Sequence, residues 1–158
     1  MQDIQLSDVS IHCEISGRED APVLVLLHGN GENLRIFDAQ VHFFSQYYKV
    51  VAVDTRGHGQ STRGTSPFDF DTFAADLIAV FDALHIRKAN IIGFSDGAII
   101  ALHLALIAQE RISSMVLLGA NFHPKGIRIT SRLLIRLAYI GLSIGALFSN
   151  TIRRRKEI

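Results

Sequence analysis

Residues 90–104, NIIGFSDGAIIALHL, constrain the fold of this 158-residue chain more strongly than any other stretch. A short apolar strand pattern runs into a tight turn centred on Ser95, and an almost entirely apolar helix pattern follows. A reversal this sharp leaves little room for side chains two positions either side of its central residue, and Gly93 and Gly97 occupy those positions. The pattern therefore predicts a turn that lifts the Ser95 hydroxyl above the end of a sheet, where it can act as a nucleophile. The alternative is an ordinary glycine-rich turn with an incidental serine.

Strand patterns alternate with helix patterns along the chain. A continuous apolar run at residues 22–27 is typical of a strand buried on both faces, and residues 49–53 and 112–118 are predicted to be further buried strands. Helices are predicted at residues 33–46 and 69–84, the second with amphipathic spacing. This alternation predicts an α/β fold, a mostly parallel sheet with flanking helices, and ligands that bind beyond the carboxyl ends of the strands.

The N-terminal residues and the composition limit what else the chain can be. Residues 4–15 alternate apolar and polar side chains, which predicts a half-exposed antiparallel hairpin. Cys13 is the only cysteine, so it excludes an internal disulfide, and its place in the alternation predicts a buried strand residue. With 48% hydrophobic and 20% charged residues, the composition fits one globular domain. The first ten residues include acidic side chains and no apolar run, so a cytoplasmic location is expected.

Three glycine-rich motifs each follow a predicted buried strand. They are HGNG at residues 28–31, DTRGHGQS at residues 54–61 and GFSDG at residues 93–97. In their order and spacing, the motifs and strands of residues 1–124 resemble the α/β-hydrolase superfamily. The second and third motifs resemble in particular small bacterial esterases and the valacyclovir-hydrolase-like group.

This resemblance implies roles for individual residues. Ser95 would be the nucleophile, and the backbone N–H groups of Asn30 and Asp96 would form the oxyanion hole. The side chain of Asp96 is expected to cap the following helix instead of serving as the triad acid. A serine at this place also argues against the dehalogenase and epoxide-hydrolase branches, which use an aspartate. Three further residues, Gly29, Phe94 and Phe122, are expected to contact the substrate.

The resemblance also implies that the catalytic triad is incomplete. In this superfamily the acid and the histidine follow the serine on loops after later strands. Only one predicted strand, residues 112–118, comes after the helix that follows Ser95. We therefore expect the fold to be truncated before its last strands and the triad Asp and His to be absent from this chain.

The chain contains seven histidines that could in principle replace the missing base. His123 is the best candidate because it follows the strand beside Ser95, and the alternative is a loop or pocket-wall residue. His58 is a weaker candidate and is expected to be structural. The other five are expected to be structural or peripheral: His28 holding the oxyanion loop, His103 packed in the core, and His12, His42 and His85 at the surface or an edge. Their spacing predicts no metal site, and no motif for a phosphate-bearing cofactor is present.

The last segment differs in charge from the rest. Residues 1–124 carry 8 Lys and Arg against 14 Asp and Glu, whereas residues 125–158 carry 8 against 1. By resemblance, residues 125–158 are expected to begin a helical cap whose apolar faces cover an acyl pocket. A membrane-surface helix and an artefact of truncation are the alternatives, and no nucleic-acid partner is expected.

Two hypotheses for the function remain. The favoured one is a serine hydrolase that acts on small carboxylic esters through an acyl-enzyme on Ser95. The alternative is a non-catalytic relative that acts as a binding or interaction module. Half a parallel sheet would leave one edge unpaired. A second copy of the chain or a missing C-terminal segment is therefore expected to cover that edge.

Overall fold

The computed structural model describes residues 2–121 and residue 130. The strands and helices of residues 2–118 belong to the first compact unit of the chain, Met1–Ala120. Its strands are β1 (Gln2–Gln5), β2 (Ser10–Gly17), β3 (Val23–Leu27), β4 (Lys49–Val53), β5 (Ala89–Phe94) and β6 (Ile112–Leu118). Its α-helices are α1 (Asp38–Phe44), α2 (Phe70–Ala83) and α3 (Asp96–Ile107), with short 3-10 turns at Leu34–Phe37 and Gln109–Arg111. No helix within the described residues is both long enough and apolar enough to cross a membrane.

The strands form one mostly parallel sheet in the order β1-β2-β4-β3-β5-β6. β1 and β2 make the predicted antiparallel hairpin, and β2 also pairs antiparallel with β4. The remaining pairs, β3 with β4, β3 with β5, and β5 with β6, are parallel. Leu27 is in register with Val53 on one side and with Gly93 on the other. The three motif loops therefore leave the carboxyl edge of the sheet side by side.

The central strands are buried on both faces, as their continuous apolar runs predict. On β3, the side chains of Val25 and Leu27 join a cluster with α2 and α3, whereas Leu24 and Leu26 join a cluster with the residues around α1. β4 alternates in the same way. Because successive strand residues point to opposite faces, an unbroken apolar strand needs helices on both sides. This three-layer arrangement confirms the α/β fold class.

Local capping interactions set where two of the predicted helices begin. The Asn33 side chain accepts a hydrogen bond from the Arg35 N–H at 3.0 Å, just before the 3-10 turn that leads into α1. The Asp69 carboxylate accepts one from the Thr72 N–H at 2.9 Å at the start of α2. Asparagine and aspartate stabilise helix starts in this way because the first N–H groups have no partner inside the helix. The helix predicted at residues 69–84 is confirmed, whereas the one predicted at residues 33–46 consists of the 3-10 turn Leu34–Phe37 and the shorter helix α1.

Strand β6 has the predicted bounds but is less buried than predicted. Val116 and Leu118 are 50% and 48% exposed, and both serines of the strand are exposed. Among the described residues β6 pairs only with β5, so one of its edges and much of its surface stay uncovered. The prediction of a fully buried strand was therefore wrong at this position. The predicted boundary between a core of residues 1–124 and a cap of residues 125–158 stays a prediction, and the cap lies outside the described residues.

The hairpin packs more tightly against the core than the predicted half-exposed ribbon. Ile11, His12 and Cys13 are consecutive residues of β2 and are all buried. The strand lies between β1 and β4, which protects its backbone on both sides. Cys13 is fully buried, as predicted, and burial raises the pKa of its thiol to about 12.

Candidate active site

Ser95 joins β5 to α3 in a backbone conformation that non-glycine residues rarely adopt, with φ 51° and ψ −115°. The two flanking glycines are required by close packing. A Cβ on Gly93 would lie 2.5 Å from the Gly97 carbonyl oxygen, and a Cβ on Gly97 would overlap the carbonyl oxygen of Leu27 at the end of β3. Strand, turn and helix are therefore as the sequence predicts, and we call residues 93–97 the elbow.

Backbone hydrogen bonds hold the elbow in place. The Ser95 N–H donates to the Leu118 carbonyl oxygen at 2.8 Å, which ties the turn to the end of β6. The Ser95 carbonyl oxygen accepts from the N–H groups of Ala98 and Ile99 at 3.0 and 3.2 Å. None of these bonds uses the side chain. Within residues 2–121, no hydrogen bond joins the Ser95 hydroxyl to an imidazole.

The loop after β3 lies directly beside the elbow. A Cβ placed on Gly29 would lie 3.1 Å from Ser95 Cβ and 3.3 Å from a ring carbon of Phe94. Gly31 has φ 73°, so the loop turns at a residue without a side chain. Within the described part of the chain, neither the Asn30 N–H nor the Asp96 N–H has a hydrogen-bond acceptor. Two backbone N–H groups without an acceptor in residues 2–121 thus belong to the elbow and to the loop beside it.

His28 is buried and connects two of the motif loops. Its Nε2 accepts a hydrogen bond from the Thr55 N–H at 3.1 Å, in the loop after β4. Since an N–H can only donate, Nε2 must be unprotonated, and the proton lies on Nδ1, 2.8 Å from the Gly29 carbonyl oxygen. Burial lowers the pKa of His28, so the neutral ring is favoured. Its contacts agree with the structural role expected for this histidine.

His58 is half-buried and lies beside Asn30 of the loop after β3. Its Nδ1 is 3.1 Å from the Arg56 carbonyl oxygen and 3.2 Å from Thr55 Oγ1, and its Nε2 is 3.5 Å from Asn30 Oδ1. The ring stacks on Phe68 with 6.0 Å between ring centroids. Both ring nitrogens thus face protein groups, which favours a structural role for His58 over a role as the base.

Asp54 and Arg56 hold the loop after β4. The Asp54 carboxylate accepts from the Leu34 N–H at 2.7 Å and the Gln60 N–H at 2.8 Å. Arg56 is 2% exposed and makes two-pronged ion pairs with Asp8 of the β1–β2 turn and Asp76 of α2, at 2.7 to 3.0 Å. Guanidinium and carboxylate groups match each other in this planar geometry. The loop after β4 is therefore held by the β1–β2 turn through Asp8 and by α2 through Asp76.

The Asp96 carboxyl group lies in the first turn of α3 but does not cap the helix. Ser95 occupies the N-cap position, and no side-chain capping hydrogen bond is present there. The prediction that Asp96 caps the helix was wrong, because Asp96 is the first helical residue and its side chain starts one position too late. Burial raises the pKa of Asp96, and the nearby imidazoles of His58 and His28 partly oppose that shift.

Two further predictions about histidines were wrong. His12, expected at the surface or an edge, is 5% exposed and lies 2.6 Å from an Asp3 carboxylate oxygen. His103, expected in the core, lies on the partly exposed side of α3 and pairs with Asp71 of α2 at 2.7 Å. His42 and His85 are exposed, as predicted. His123 lies outside the described residues.

The remaining predicted site residues divide between the elbow region and the undescribed segment. Gly29 and Phe94 lie beside Ser95, and Phe94 is 38% exposed at the carboxyl end of β5. Phe122 lies outside the described residues. Within the described part, no group of three His, Cys, Asp or Glu side chains is arranged to hold a metal ion.

The sequence reasoning missed Glu32, which contacts the loop beside Ser95. Its carboxylate oxygen Oε2 accepts a hydrogen bond from the Gly29 N–H at 2.9 Å. The available signal was the spacing, since an acidic residue three positions after a backbone N–H in a glycine-rich turn can reach back to it, as in a capping box.

Comparison with known proteins places these features in a family. A family model described as the alpha/beta hydrolase fold matches residues 22–132. Over 109 residues, the chain is 33% identical to 3-oxoadipate enol-lactonase 2 of Acinetobacter baylyi, covering 69% of this chain and 41% of the relative. It is 36% identical to a bifunctional esterase/perhydrolase of Acinetobacter calcoaceticus, covering 66% of this chain and 38% of the relative.

A solved structure shows similarity to the same family. The crystal structure of a hydrolase from Pseudomonas aeruginosa superposes with a TM-score of 0.77 at 28% sequence identity, covering 88% of this chain and 52% of that chain. The chain thus spans 41% and 38% of the length of the two curated relatives, and about half of the solved one.

Proposed function

Because the chain belongs to the α/β-hydrolase family, we propose that it is part of a serine hydrolase that cleaves carboxylic esters through an acyl-enzyme on Ser95. The observation that carries the proposal is the geometry of the elbow. A non-glycine residue with φ 51° sits at the junction of β5 and α3, next to the loop that carries Asn30. Strained backbone of this kind persists only where the surrounding structure holds it, and it is concentrated at functional sites.

In the proposed first step, Ser95 Oγ attacks the carbonyl carbon of the ester while its proton passes to a histidine base. The C=O double bond opens, and its oxygen becomes an oxyanion. Two backbone donors would bind that oxygen, the N–H groups of Asn30 and Asp96, neither of which has an acceptor within residues 2–121. Removing one such donor in other enzymes costs about 10²–10³ in kcat.

The tetrahedral intermediate then expels the alcohol, which takes the proton from the histidine and leaves an acyl-enzyme. Water attacks this ester in the same way and releases the carboxylic acid and free Ser95. We propose that the histidine and the acid that orients it lie outside residues 2–121. His28 and His58 already bind protein groups through both ring nitrogens.

A fluorophosphonate probe tests the proposal, because an activated serine displaces fluoride from phosphorus, releases HF and gains the mass of the probe's phosphonyl group. In a protein that contains the proposed histidine and acid together with this chain, we expect one adduct in an intact-mass measurement, mapped to Ser95 by peptide sequencing. Ser95→Ala should abolish the adduct and the hydrolysis of p-nitrophenyl acetate. Ser113→Ala, the same change at an exposed serine of β6, should leave both unchanged.

Two results would contradict the proposal. One is ester hydrolysis that survives in Ser95→Ala. The other is a folded protein that contains the proposed histidine and acid and yet gains no adduct, a result that favours the alternative of a non-catalytic binding module.

A further inference from the structure

We propose that Glu32 is a positioning residue whose side chain aims the Asn30 N–H toward the substrate oxygen. This inference rests on the function proposed above for that N–H group. Glu32 would not touch the substrate. It would act through the backbone of the loop after β3.

Glu32 and Gly29 bind each other through two separate hydrogen bonds. The Gly29 N–H donates to Glu32 Oε2 at 2.9 Å, and the Glu32 N–H donates to the Gly29 carbonyl oxygen at 3.3 Å. The segment between them contains Gly31, whose φ of 73° allows the chain to fold back. The side chain of Glu32 therefore closes the turn that contains Asn30.

Planarity of the peptide group links this turn to the Asn30 N–H. The Gly29 carbonyl and the Asn30 N–H belong to the same peptide unit, and in a trans peptide they point in opposite directions. The carbonyl is held by the Glu32 N–H and by His28 Nδ1 at 2.8 Å. Because the Gly29 carbonyl is held by Glu32 and His28, the Asn30 N–H of the same peptide unit points in the opposite direction.

The preceding peptide unit is held between Glu32 and the elbow. Its N–H, from Gly29, binds the Glu32 carboxylate, while its carbonyl, from His28, would be 2.7 Å from a Cβ on Gly97. A Cβ on Gly29 would contact both Glu32 Oε2, at 2.7 Å, and Ser95 Cβ, at 3.1 Å. Gly29 thus fills the space between the Glu32 carboxylate and the nucleophile. A change in the reach of residue 32 is therefore expected to shift the donor relative to Ser95.

Three substitutions separate reach from charge. Glu32→Gln keeps an acceptor oxygen at the same reach and removes the charge. Glu32→Asp keeps the charge and shortens the side chain by one methylene group, and Glu32→Ala removes both. If Glu32 acts by positioning, Glu32→Gln should match the wild type in Gly29 exchange and Ser95 labelling, and Glu32→Asp should match Glu32→Ala. A role for the charge itself predicts the opposite pairing.

Amide hydrogen exchange measured by NMR tests the contact without requiring activity. We expect the Gly29 N–H to exchange about tenfold faster in Glu32→Asp and Glu32→Ala than in the wild type, because it loses a charge-assisted hydrogen bond. Glu32→Gln should keep most of the protection. Glu110→Ala, at an exposed glutamate far along the chain, should change nothing. Equal Gly29 exchange rates in wild type and Glu32→Ala would overturn the proposal.

Rates of fluorophosphonate labelling at Ser95 test the functional consequence. Misplacing a catalytic group by about 1 Å can cost about 100-fold, so we expect labelling to slow by about 10- to 100-fold in the Asp and Ala variants. Glu32→Gln should stay within about threefold of the wild type. Fast labelling in Asp with slow labelling in Gln would overturn the positioning role. If the wild type is not labelled at all when the proposed histidine and acid are present, the proposed function fails, and exchange at Gly29 and Asn30 alone decides whether Glu32 holds the turn.

Discussion

Gly97→Ala is expected to destabilise the protein although it places a better helix former in α3. Helix propensity alone would favour alanine over glycine by about 1 kcal/mol. The added Cβ, however, would overlap the Leu27 carbonyl oxygen and lie 2.7 Å from the His28 carbonyl oxygen. Both atoms belong to the backbone at the end of β3, a central strand of the sheet, so neither can rotate away.

The expected size of the effect follows from these two opposing terms. Restoring normal contacts requires α3 and β3 to separate by about 1 Å, since the Cβ would lie 2.5 Å from the Leu27 carbonyl carbon and carbon atoms in contact lie about 3.5 Å apart or more. Overpacking of a tightly packed region costs about 3 kcal/mol at the upper end of the usual range. After the gain in helix propensity, we expect a net loss of about 2 kcal/mol in the free energy of unfolding, or a fall of about 4–8 °C in Tm.

Urea unfolding followed by circular dichroism measures this loss as a lower midpoint with an unchanged slope. Ala105→Gly, the reverse substitution at a half-buried position of α3, is the matched control and should cost about 1 kcal/mol. Both variants are thus expected to be less stable than the wild type. A Gly97→Ala protein as stable as the wild type would refute the close approach of elbow and strand.

Three further predictions concern polar side chains, and a fourth the buried thiol. Arg56→Met should lower the free energy of unfolding by about 3 kcal/mol, because it leaves two carboxylates without their cation, and an unchanged urea midpoint would contradict this. The Arg56 guanidinium holds the pKa of Asp8 well below its usual range. The Asp8 carboxylate therefore contributes stability above about pH 4, and this contribution is lost as the pH falls further. Asp8→Asn should flatten that part of a plot of the free energy of unfolding against pH. Burial lowers the pKa of His28, so its neutral form contributes stability above about pH 6.5 that is lost toward lower pH. His28→Gln should therefore reduce the fall in the urea midpoint between about pH 7 and 5. Cys13 should react with Ellman's reagent only after unfolding, because its thiol is fully buried, and rapid reaction of the folded protein would contradict the packing of β2.

The parts of the fold that sequence reasoning predicted correctly depend on local patterns. Residues 24–27 of β3 and 50–53 of β4 alternate between two apolar clusters, and apolar side chains on both faces of a strand require a layer on each side. Gly93 and Gly97 predicted the elbow because a close backbone approach excludes any side chain. Each of these features is visible within a short stretch of sequence.

The wrong or missing predictions concern residues whose surroundings depend on segments that are distant in the sequence. His12 is buried because Asp3 and Gln60 provide partners for its ring, and the Gln60 partner comes from a loop 48 residues away. Glu32 was missed because its contact with Gly29 depends on how the loop folds, and hydrophobic periodicity carries no information about that. β6 was expected to be buried because most of its residues are apolar, but the burial of a strand depends on its neighbours as well as on its own residues.

The conformation of Ser95 implies a trade-off between stability and chemistry at one residue. Within residues 2–121, every hydrogen bond that holds this position is made by its backbone, and a φ of 51° with a ψ of −115° is unfavourable for a residue with a Cβ by about 1–3 kcal/mol. Ser95→Gly would remove that cost and is expected to raise the free energy of unfolding by about 1 kcal/mol. The same change would delete the hydroxyl. Selection for thermal stability alone would therefore favour glycine here, so the serine marks a position where the protein retains strain for a reason other than folding.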